Sequence, residues 1–283
     1  LYIQLGASVR SRAVFIVQSL TPPANEHLME LLMMLDIARS AAAREVHAVI
    51  PYFSYARSDK KDAPRISITG RLMARMIETA GATHVMTMTL HSPQVHGFFD
   101  VPTDPLTARP VFEEYFKKQD LSGMIVVAPD AGHAEVGGRF AASLGLPAVA
   151  GSKKRLSDTE VRITGLVGDV KGYRRAIIYD DEIAGASSVE ALARLLLERG
   201  IQEITVVCTH GVFVGRALQR LTALPQITEI VTTDTVPIPE GKRLPSMRVL
   251  SVAPLFAEAI RRNYLGQTIG DLFAFWEDFR AEE

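Results

Sequence analysis

One stretch of the sequence, residues 174–197, constrains the fold more than any other. Residues 176–179 form a short apolar run with two adjacent isoleucines, which is typical of a strand buried on both faces. A loop of small residues follows, and from Val189 onward apolar positions recur at helical spacing. A buried strand, a short loop and an amphipathic helix form one α/β unit, so the stretch predicts a mostly parallel sheet flanked by helices.

The same stretch carries candidate chemistry at the carboxyl end of its strand. Asp180, Asp181 and Glu182 come directly after the apolar run. The loop that follows consists of Ala184, Gly185, Ala186, Ser187 and Ser188. Small residues let backbone N–H groups approach a phosphate closely, and the helix N-terminus supplies partial positive charge. The pattern favours sugar-phosphate binding, with sugar hydroxyls or a hydrated metal ion beside the carboxylates. The alternative is an ordinary unit whose serines only cap the helix.

Strand-like and helical segments alternate along the rest of the chain, which at 283 residues is long enough for two domains. A weak internal sequence similarity between residues 12–19 and 174–181 suggests two similar α/β halves. The division near residues 105–110 predicts an N-terminal domain over 1–108 and a C-terminal domain over 109–283, whose tail helix returns to the first domain. The chain opens on Leu-Tyr-Ile-Gln-Leu, as if in mid-strand, so we expect that an N-terminal segment is missing.

Composition narrows the class of protein. An apolar content of 47% and a charged content of 22% are typical of a soluble globular protein with a sizeable core. The net charge of −1 gives no electrostatic footprint for nucleic acid, and no uncharged apolar run approaches the length of a membrane span. The single cysteine, Cys208, excludes an internal disulfide framework. We therefore expect a cytoplasmic protein that binds neither nucleic acid nor membrane.

Two loops in the N-terminal half could bind a nucleotide. The positive groups of the loop at 57–62, which begins Arg57-Ser58-Asp59, would suit phosphates, although a solvated surface loop is the alternative. The segment at 90–104 places His91 just past a predicted strand, where it is either a ligand or acid–base group or simply structural. His91 and His96 do not match the spacing of a zinc site.

Two further stretches lie in the C-terminal half. Asp130 follows the apolar run at 124–128 and places another carboxylate at a strand end. Lys153, Lys154 and Arg155 lie in what reads as a polar loop, which could close over transferring phosphates as a mobile clamp.

These stretches together resemble the ribose-phosphate pyrophosphokinase family, also called phosphoribosyl pyrophosphate synthetases. The most specific match is LHSPQVHGFFDVPTD at 90–104, which is similar to the family signature L-H-x-x-Q-x-x-G-F-F-x-x-P-x-D. The segments at 50–62, 126–132, 153–155, 176–182 and 209–213 follow in the family's order and spacing. The resemblance extends from about residue 8 to about residue 273.

The resemblance implies a fold and a reaction. The fold would be two tandem phosphoribosyltransferase-like domains, the first on the ATP side and the second on the ribose 5-phosphate side. The reaction would be Mg²⁺-dependent transfer of the diphosphoryl group of ATP to O1 of ribose 5-phosphate, which gives phosphoribosyl pyrophosphate and AMP. Members of the family are closed homo-oligomers built from dimers, and we expect the same here.

The resemblance also assigns nucleotide and metal roles by position. Arg57 would contact the phosphates of ATP, and Ser58 and Asp59 would belong to the same ATP-binding loop. His91 would contact ATP and its metal ion, and Asp130 would lie at a second metal ion.

The remaining roles concern phosphoryl transfer and the sugar. Lys153 and Arg155 would stabilise the transferring group. Asp180 and Asp181 would hold the ribose hydroxyls, and the loop at 184–188 would bind the 5-phosphate. The anomeric hydroxyl would attack in line, so no covalent nucleophile is needed.

The sequence departs from the family pattern at three places. Thr89 stands where many members have aspartate before Leu-His, and Ser58 stands where glutamine usually follows the arginine. The phosphate loop, close to D-T-x-G-T in the family, reads AGASS at 184–188. Two alternatives to an active synthetase therefore stay open: a non-catalytic regulatory homologue that binds synthetase subunits, and a phosphoribosyltransferase that uses phosphoribosyl pyrophosphate as substrate.

Overall fold

The computed structural model describes residues 1–155 and 161–273, apart from the side chains of residues 153–155 and 161–164. The chain divides into two compact units. The first comprises Leu1–Thr107 and the segment from Ala253 onward, and the second comprises Ala108–Val252.

The helices and strands follow one another in the alternating order that the sequence predicts. Up to the end of β4 they are β1 (Ala13–Val17), α1 (Ala24–Ser40), β2 (Glu45–Ile50), α2 (Thr69–Ala80), β3 (His84–Met88) and β4 (Thr103–Leu106). The second unit contains α3 (Arg109–Phe116), β5 (Met124–Ala128), α4 (Ala134–Ser143), β6 (Ala148–Arg155), β7 (Val161–Val167), β8 (Arg175–Ile183), α5 (Ser187–Glu198), β9 (Glu203–Gly211), α6 (Ala217–Thr222), β10 (Ile227–Thr233) and β11 (Met247–Leu250). The chain then returns to the first unit with α7 (Ala253–Tyr264).

The first unit is built on a parallel sheet, which within the described residues has four strands in the order β1-β2-β3-β4. One face of this sheet packs against α1 and α2, where Leu31, Leu35 and Ile77 are fully buried. Burial of each such side chain stabilises the fold by about 1.5–3 kcal/mol. Because β2 and β3 run parallel, with Ile50 opposite Thr87, the loops that follow them leave the same edge of the sheet.

The second unit contains a seven-stranded sheet in the described part of the chain, in the order β11-β10-β9-β8-β5-β6-β7. All neighbouring strands are parallel except β6 and β7. Strand β8 lies between β5 and β9, and Ile177 and Ile178 are both fully buried although they point to opposite faces. The carboxyl ends of β5 and β8 are therefore adjacent, with Val127 opposite Ile178.

The predicted α/β class, with mostly parallel sheets flanked by helices, is confirmed. The predicted domain boundary after residue 108 lies one residue from the division between the two units. The segment from Ala253, which the sequence assigns to the second domain as a tail helix that returns to the first, groups with the first unit.

Two details of the sequence interpretation need correction. Strand β8 continues to Ile183, so Asp180 and Asp181 lie within the strand rather than after it, because β9 continues to pair with β8 as far as Gly211. Lys153 and Arg155 do not lie in a loop. They belong to β6, where antiparallel pairing with β7 sets Lys153 opposite Ile163 and extends the strand beyond its apolar part.

In the part of the chain that the structure describes, no helix combines the length and the apolar character needed to cross a membrane.

Candidate active site

Three carboxylates surround one histidine at the carboxyl ends of β5 and β8. His133 Nδ1 lies 3.1 Å from Asp130 Oδ1, and His133 Nε2 lies 3.3 Å from Asp181 Oδ1 and 3.9 Å from Asp180 Oδ1. The side chain of His133 is 21% exposed, and the three carboxylates are more buried still. The parallel pairing of β5 with β8 brings these groups together, although they are far apart in sequence.

Local backbone geometry fixes Asp130. The chain turns into a short 3₁₀ segment (Ala131–His133), and Asp130 caps it: Oδ1 accepts hydrogen bonds from Gly132 N at 2.8 Å and His133 N at 3.2 Å. A Cβ atom at Gly132 would lie 3.0 Å from this oxygen, so a larger residue would crowd the cap. The cap turns the His133 ring back towards Asp130.

The charges of this cluster depend on one another. Burial by itself lowers the pKa of His133, but hydrogen bonds to Asp130 and Asp181 and the charges of Asp181 and Asp180 outweigh it and raise that pKa to about 10. Burial and the neighbouring charge of Asp181 raise the pKa of Asp180 well above its usual range. The cluster thus contains a protonated imidazole at neutral pH, and the positive charge of His133 favours the ionised form of Asp180.

The loop at 184–188 lies between β8 and α5, as the sequence predicts. Ala186 occupies the N-cap position with φ of 59°, in the left-handed region, and no side chain caps the helix there. Ser187 and Ser188 are the first two residues of the helix, so neither serine occupies the N-cap position. The first turn of α5 therefore has no side-chain cap at its N-cap position, and uncapped N–H groups at a helix N-terminus are suited to bind an anion.

The neighbouring strand end supports this loop. The N–H groups of Val212 and Phe213 donate to Ile183 O at 3.1 and 3.0 Å, and Val214 N donates to Ala184 O at 2.9 Å. Gly211 is required at this turn because a Cβ atom there would lie 2.5 Å from the ring of Phe213. The end of β9 therefore fixes the backbone from which the loop starts.

A guanidinium from α6 also reaches the loop. Arg220 Nη1 donates to Gly185 O at 2.6 Å, and Arg220 Nε lies 3.4 Å from Glu190 Oε2 in the first turn of α5. No local sequence pattern predicts this contact, because it depends on the packing of α6 against α5.

In the first unit, the two predicted nucleotide loops are joined by a hydrogen bond. Ser92 Oγ donates to Asp59 Oδ2 at 2.7 Å and links the loop of Arg57 to the loop of His91. Arg57 and His91 are both exposed. Ser92 was not predicted as part of the site, although it lies next to His91 in the sequence.

Ser58 and Thr89 have local structural roles in these loops. Ser58 Oγ accepts from Thr69 N at 3.0 Å and Ser58 O accepts from Gly70 N at 3.0 Å, so Ser58 holds the start of α2. Thr89 begins the His91 loop with φ of 43°, a conformation that β-branched residues rarely adopt, and its N–H donates to Leu106 O at 2.9 Å. Backbone strain at a residue in the left-handed region is found most often at functional sites.

The other predicted site residues fall into two groups. The structure brings together Asp130, Asp180 and Asp181, and adds His133, which sequence reasoning missed although it lies three positions after Asp130. The side chains of Lys153 and Arg155 lie outside the described part of the chain, so their predicted role stays a prediction, as does the role of His91 as a metal ligand.

Comparisons with known proteins assign the family. Residues 1–81 match the N-terminal domain of ribose phosphate pyrophosphokinase, and residues 122–274 match the phosphoribosyl synthetase-associated domain. The chain belongs to the ribose-phosphate pyrophosphokinase family. The predicted family is thereby confirmed, and with it the assignment of the chain as an enzyme that forms phosphoribosyl pyrophosphate.

Relatives of this family match nearly the whole chain. A Streptomyces coelicolor protein of the same family name is 50% identical over 273 residues, covering 96% of this chain and 86% of that protein. The ribose-phosphate pyrophosphokinase of Deinococcus radiodurans is 46% identical, again covering 96% of this chain and 86% of its own. The crystal structure of phosphoribosylpyrophosphate synthetase from Mycobacterium smegmatis has a TM-score of 0.86 at 37% identity, covering 94% of this chain and 87% of that one.

Proposed function

We propose that the chain transfers the diphosphoryl group of ATP to O1 of ribose 5-phosphate in an Mg²⁺-dependent reaction that also yields AMP. The observation that carries this proposal is the adjacency of Asp180 and Asp181 to the uncapped N-terminus of α5 across the 184–188 loop. Carboxylates accept hydrogen bonds from sugar hydroxyls, and the helix N-terminus attracts a phosphate. The two features at one strand end match the two ends of a sugar phosphate.

In this proposal the ribose hydroxyls donate to Asp180 and Asp181, and the 5-phosphate lies in the loop formed by Ala184, Gly185, Ala186, Ser187 and Ser188. The left-handed backbone at Ala186 turns the chain so that successive N–H groups can point into the loop. The hydroxyls of Ser187 and Ser188 are the side-chain donors available within it.

The carboxylate cluster also fits Mg²⁺. Three carboxylates supply the hard oxygen ligands that this ion prefers, and the raised pKa of Asp180 indicates a need for positive charge. Asp130 is the proposed ligand in the second unit, and His91 is the proposed ligand in the loop of the first unit. The bound ion would offset negative charge on the phosphates of ATP.

ATP is proposed to bind at the loops of the first unit. Arg57 is exposed and suited to pair with phosphate oxygens. Asp59 acts by holding the His91 loop through Ser92. Ser58 acts by holding the start of α2, because its hydroxyl accepts a hydrogen bond from Thr69 N.

The transfer itself needs no covalent intermediate. O1 of ribose 5-phosphate forms a bond to the β-phosphorus of ATP, the bond from that phosphorus to the oxygen on the α-phosphorus breaks, and AMP leaves with this oxygen. The hydroxyl proton of O1 is released. Lys153 and Arg155 are proposed to offset charge that develops on the transferring group.

The test is formation of AMP from ATP and ribose 5-phosphate by the purified chain, measured with a coupled assay. Activity should disappear when EDTA removes divalent cations and return with excess Mg²⁺. A regulatory homologue would form no AMP. A phosphoribosyltransferase would instead consume phosphoribosyl pyrophosphate when a nucleobase is supplied.

We further propose that the protein acts in the cytoplasm as a homo-oligomer built from dimers. The buried free cysteine Cys208 agrees with a reducing compartment. Fractionation of cells and light scattering of the purified protein would test these two points.

A further inference from the structure

Arg220 lies beside the sugar-phosphate loop in a position that the family pattern does not assign. Its Nη1 donates to Gly185 O at 2.6 Å, while its Nε lies 3.4 Å from Glu190 Oε2. The side chain is 31% exposed, so the guanidinium is partly desolvated yet still accessible to a ligand. Two contacts on different elements hold its plane in one orientation.

The guanidinium lies next to the side of Gly185 from which a side chain would project. A Cβ atom added at Gly185 would have Arg220 Nη1 as its near neighbour, at 3.7 Å. Gly185 itself has no side chain, and this distance is an ordinary van der Waals contact, so the guanidinium lies against the loop without crowding it.

The loop needs a positive charge that its own residues do not provide. None of the five residues at 184–188 is charged, and the helix N-terminus contributes only about half an elementary charge. Arginine suits a phosphate because its planar fork donates two parallel hydrogen bonds. Among the contacts of the described residues, Arg220 Nη2 has no hydrogen-bond partner, so one edge of the fork remains for a ligand.

Glu190 opposes this attraction in part, since its carboxylate lies against the Nε edge of the guanidinium. Arg194 also donates to Glu190, through Nη2 at 2.9 Å, and so shares this negative charge. Glu190 therefore orients Arg220, while Arg194 offsets part of the negative charge of Glu190.

We propose that Arg220 is a substrate-binding residue of this enzyme: it fixes the loop through Gly185 O and presents its guanidinium to the 5-phosphate of the sugar. This inference rests on the proposed binding of ribose 5-phosphate at the 184–188 loop. It gives the chain a recognition group from α6 where the loop itself has only small side chains.

The test compares Arg220→Gln with Arg194→Gln. Both changes remove an arginine that pairs with Glu190, but only Arg220 contacts the loop. Arg220→Gln should raise KM for ribose 5-phosphate at least about tenfold, the equivalent of one hydrogen bond to a charged group, with KM for ATP and kcat each within about threefold of the parent. Arg194→Gln should leave all three constants near the parent values. Arg220→Lys keeps the charge and should recover part of the lost affinity.

Several results would overturn the inference. They are an unchanged KM for ribose 5-phosphate in Arg220→Gln, a fall in kcat alone, or an Arg220→Lys variant as impaired as Arg220→Gln. If the glutamine variant fails to fold, as judged by circular dichroism, the lysine variant must still show a raised KM for ribose 5-phosphate. Calorimetry with ribose 5-phosphate alone separates the two proposals: a parent that binds the sugar through Arg220 but forms no AMP would refute the proposed reaction and leave this inference standing.

Discussion

Replacement of His133 by asparagine should lower the free energy of unfolding of the second unit. This loss should be smaller when Mg²⁺ is present and smaller at alkaline pH. In the parent, the imidazole donates from Nδ1 to Asp130 and lies 3.3 Å from Asp181 through Nε2. Asparagine keeps a polar side chain that can cap the start of α4 but carries no positive charge. The variant leaves three carboxylates close together without their cation.

The pKa of His133 sets the size of the effect. A rise from 6.5 to about 10 corresponds to roughly 5 kcal/mol of stabilisation of the protonated form, at about 1.4 kcal/mol per pKa unit. The carboxylates recover part of this in the variant by taking up a proton, most readily at Asp180, whose pKa is already raised. We therefore expect a loss of about 3 kcal/mol in the free energy of unfolding near pH 7.

The pH dependence follows from the direction of the shift. Because the folded state binds the His133 proton more tightly than the unfolded chain does, the contribution is fully present below pH 6.5 and is lost as pH rises towards 10. The difference between parent and variant should shrink steadily over this range.

Urea denaturation followed by circular dichroism, in EDTA and in excess MgCl₂, measures both effects. His27→Asn is the control, because the His27 ring bonds to a backbone carbonyl, Thr21 O at 2.7 Å. The control should show no loss in the free energy of unfolding that Mg²⁺ restores. A His133→Asn variant whose loss of stability is independent of both pH and Mg²⁺ would refute the electrostatic argument.

Three further predictions concern substrates. Asp181→Ala should abolish binding of ribose 5-phosphate in calorimetry, and unchanged affinity would place the sugar elsewhere. Lys153→Ala should lower kcat by about 10²-fold or more with little change in KM for ATP, whereas a large rise in KM at constant kcat would indicate ground-state binding. The double change Ala184→Asp with Gly185→Thr should raise kcat/KM for ribose 5-phosphate at least about tenfold, since the position at Gly185 has room for a Cβ atom. No gain would mean that the serines already supply the phosphate contacts.

The sequence was sufficient for the architecture because its signals are local. The apolar run at 176–179, the loop of small residues and the helical spacing from Val189 define one α/β unit, and the same alternation along the chain predicts parallel sheets. The sequence was insufficient where the pairing of one strand with another decides the structure. Lys153 and Arg155 read as loop residues on polarity alone, but the partner strand β7 places them in a strand.

The candidate site divides in the same way. Asp130, Asp180 and Asp181 could be named from the sequence because each stands near the end of an apolar strand, where ligands gather in α/β proteins. The roles of His133 and Arg220 could not, since a histidine in a short turn and an arginine on a six-residue helix have no distinctive local pattern. The parallel pairing of β5 with β8 sets His133 among three carboxylates, and the packing of α6 on α5 brings Arg220 to Gly185 O. The sequence determined which chemical groups stand at the strand ends, and the tertiary structure decided which charges meet there, because electrostatic interactions depend on distance in space rather than on separation along the chain.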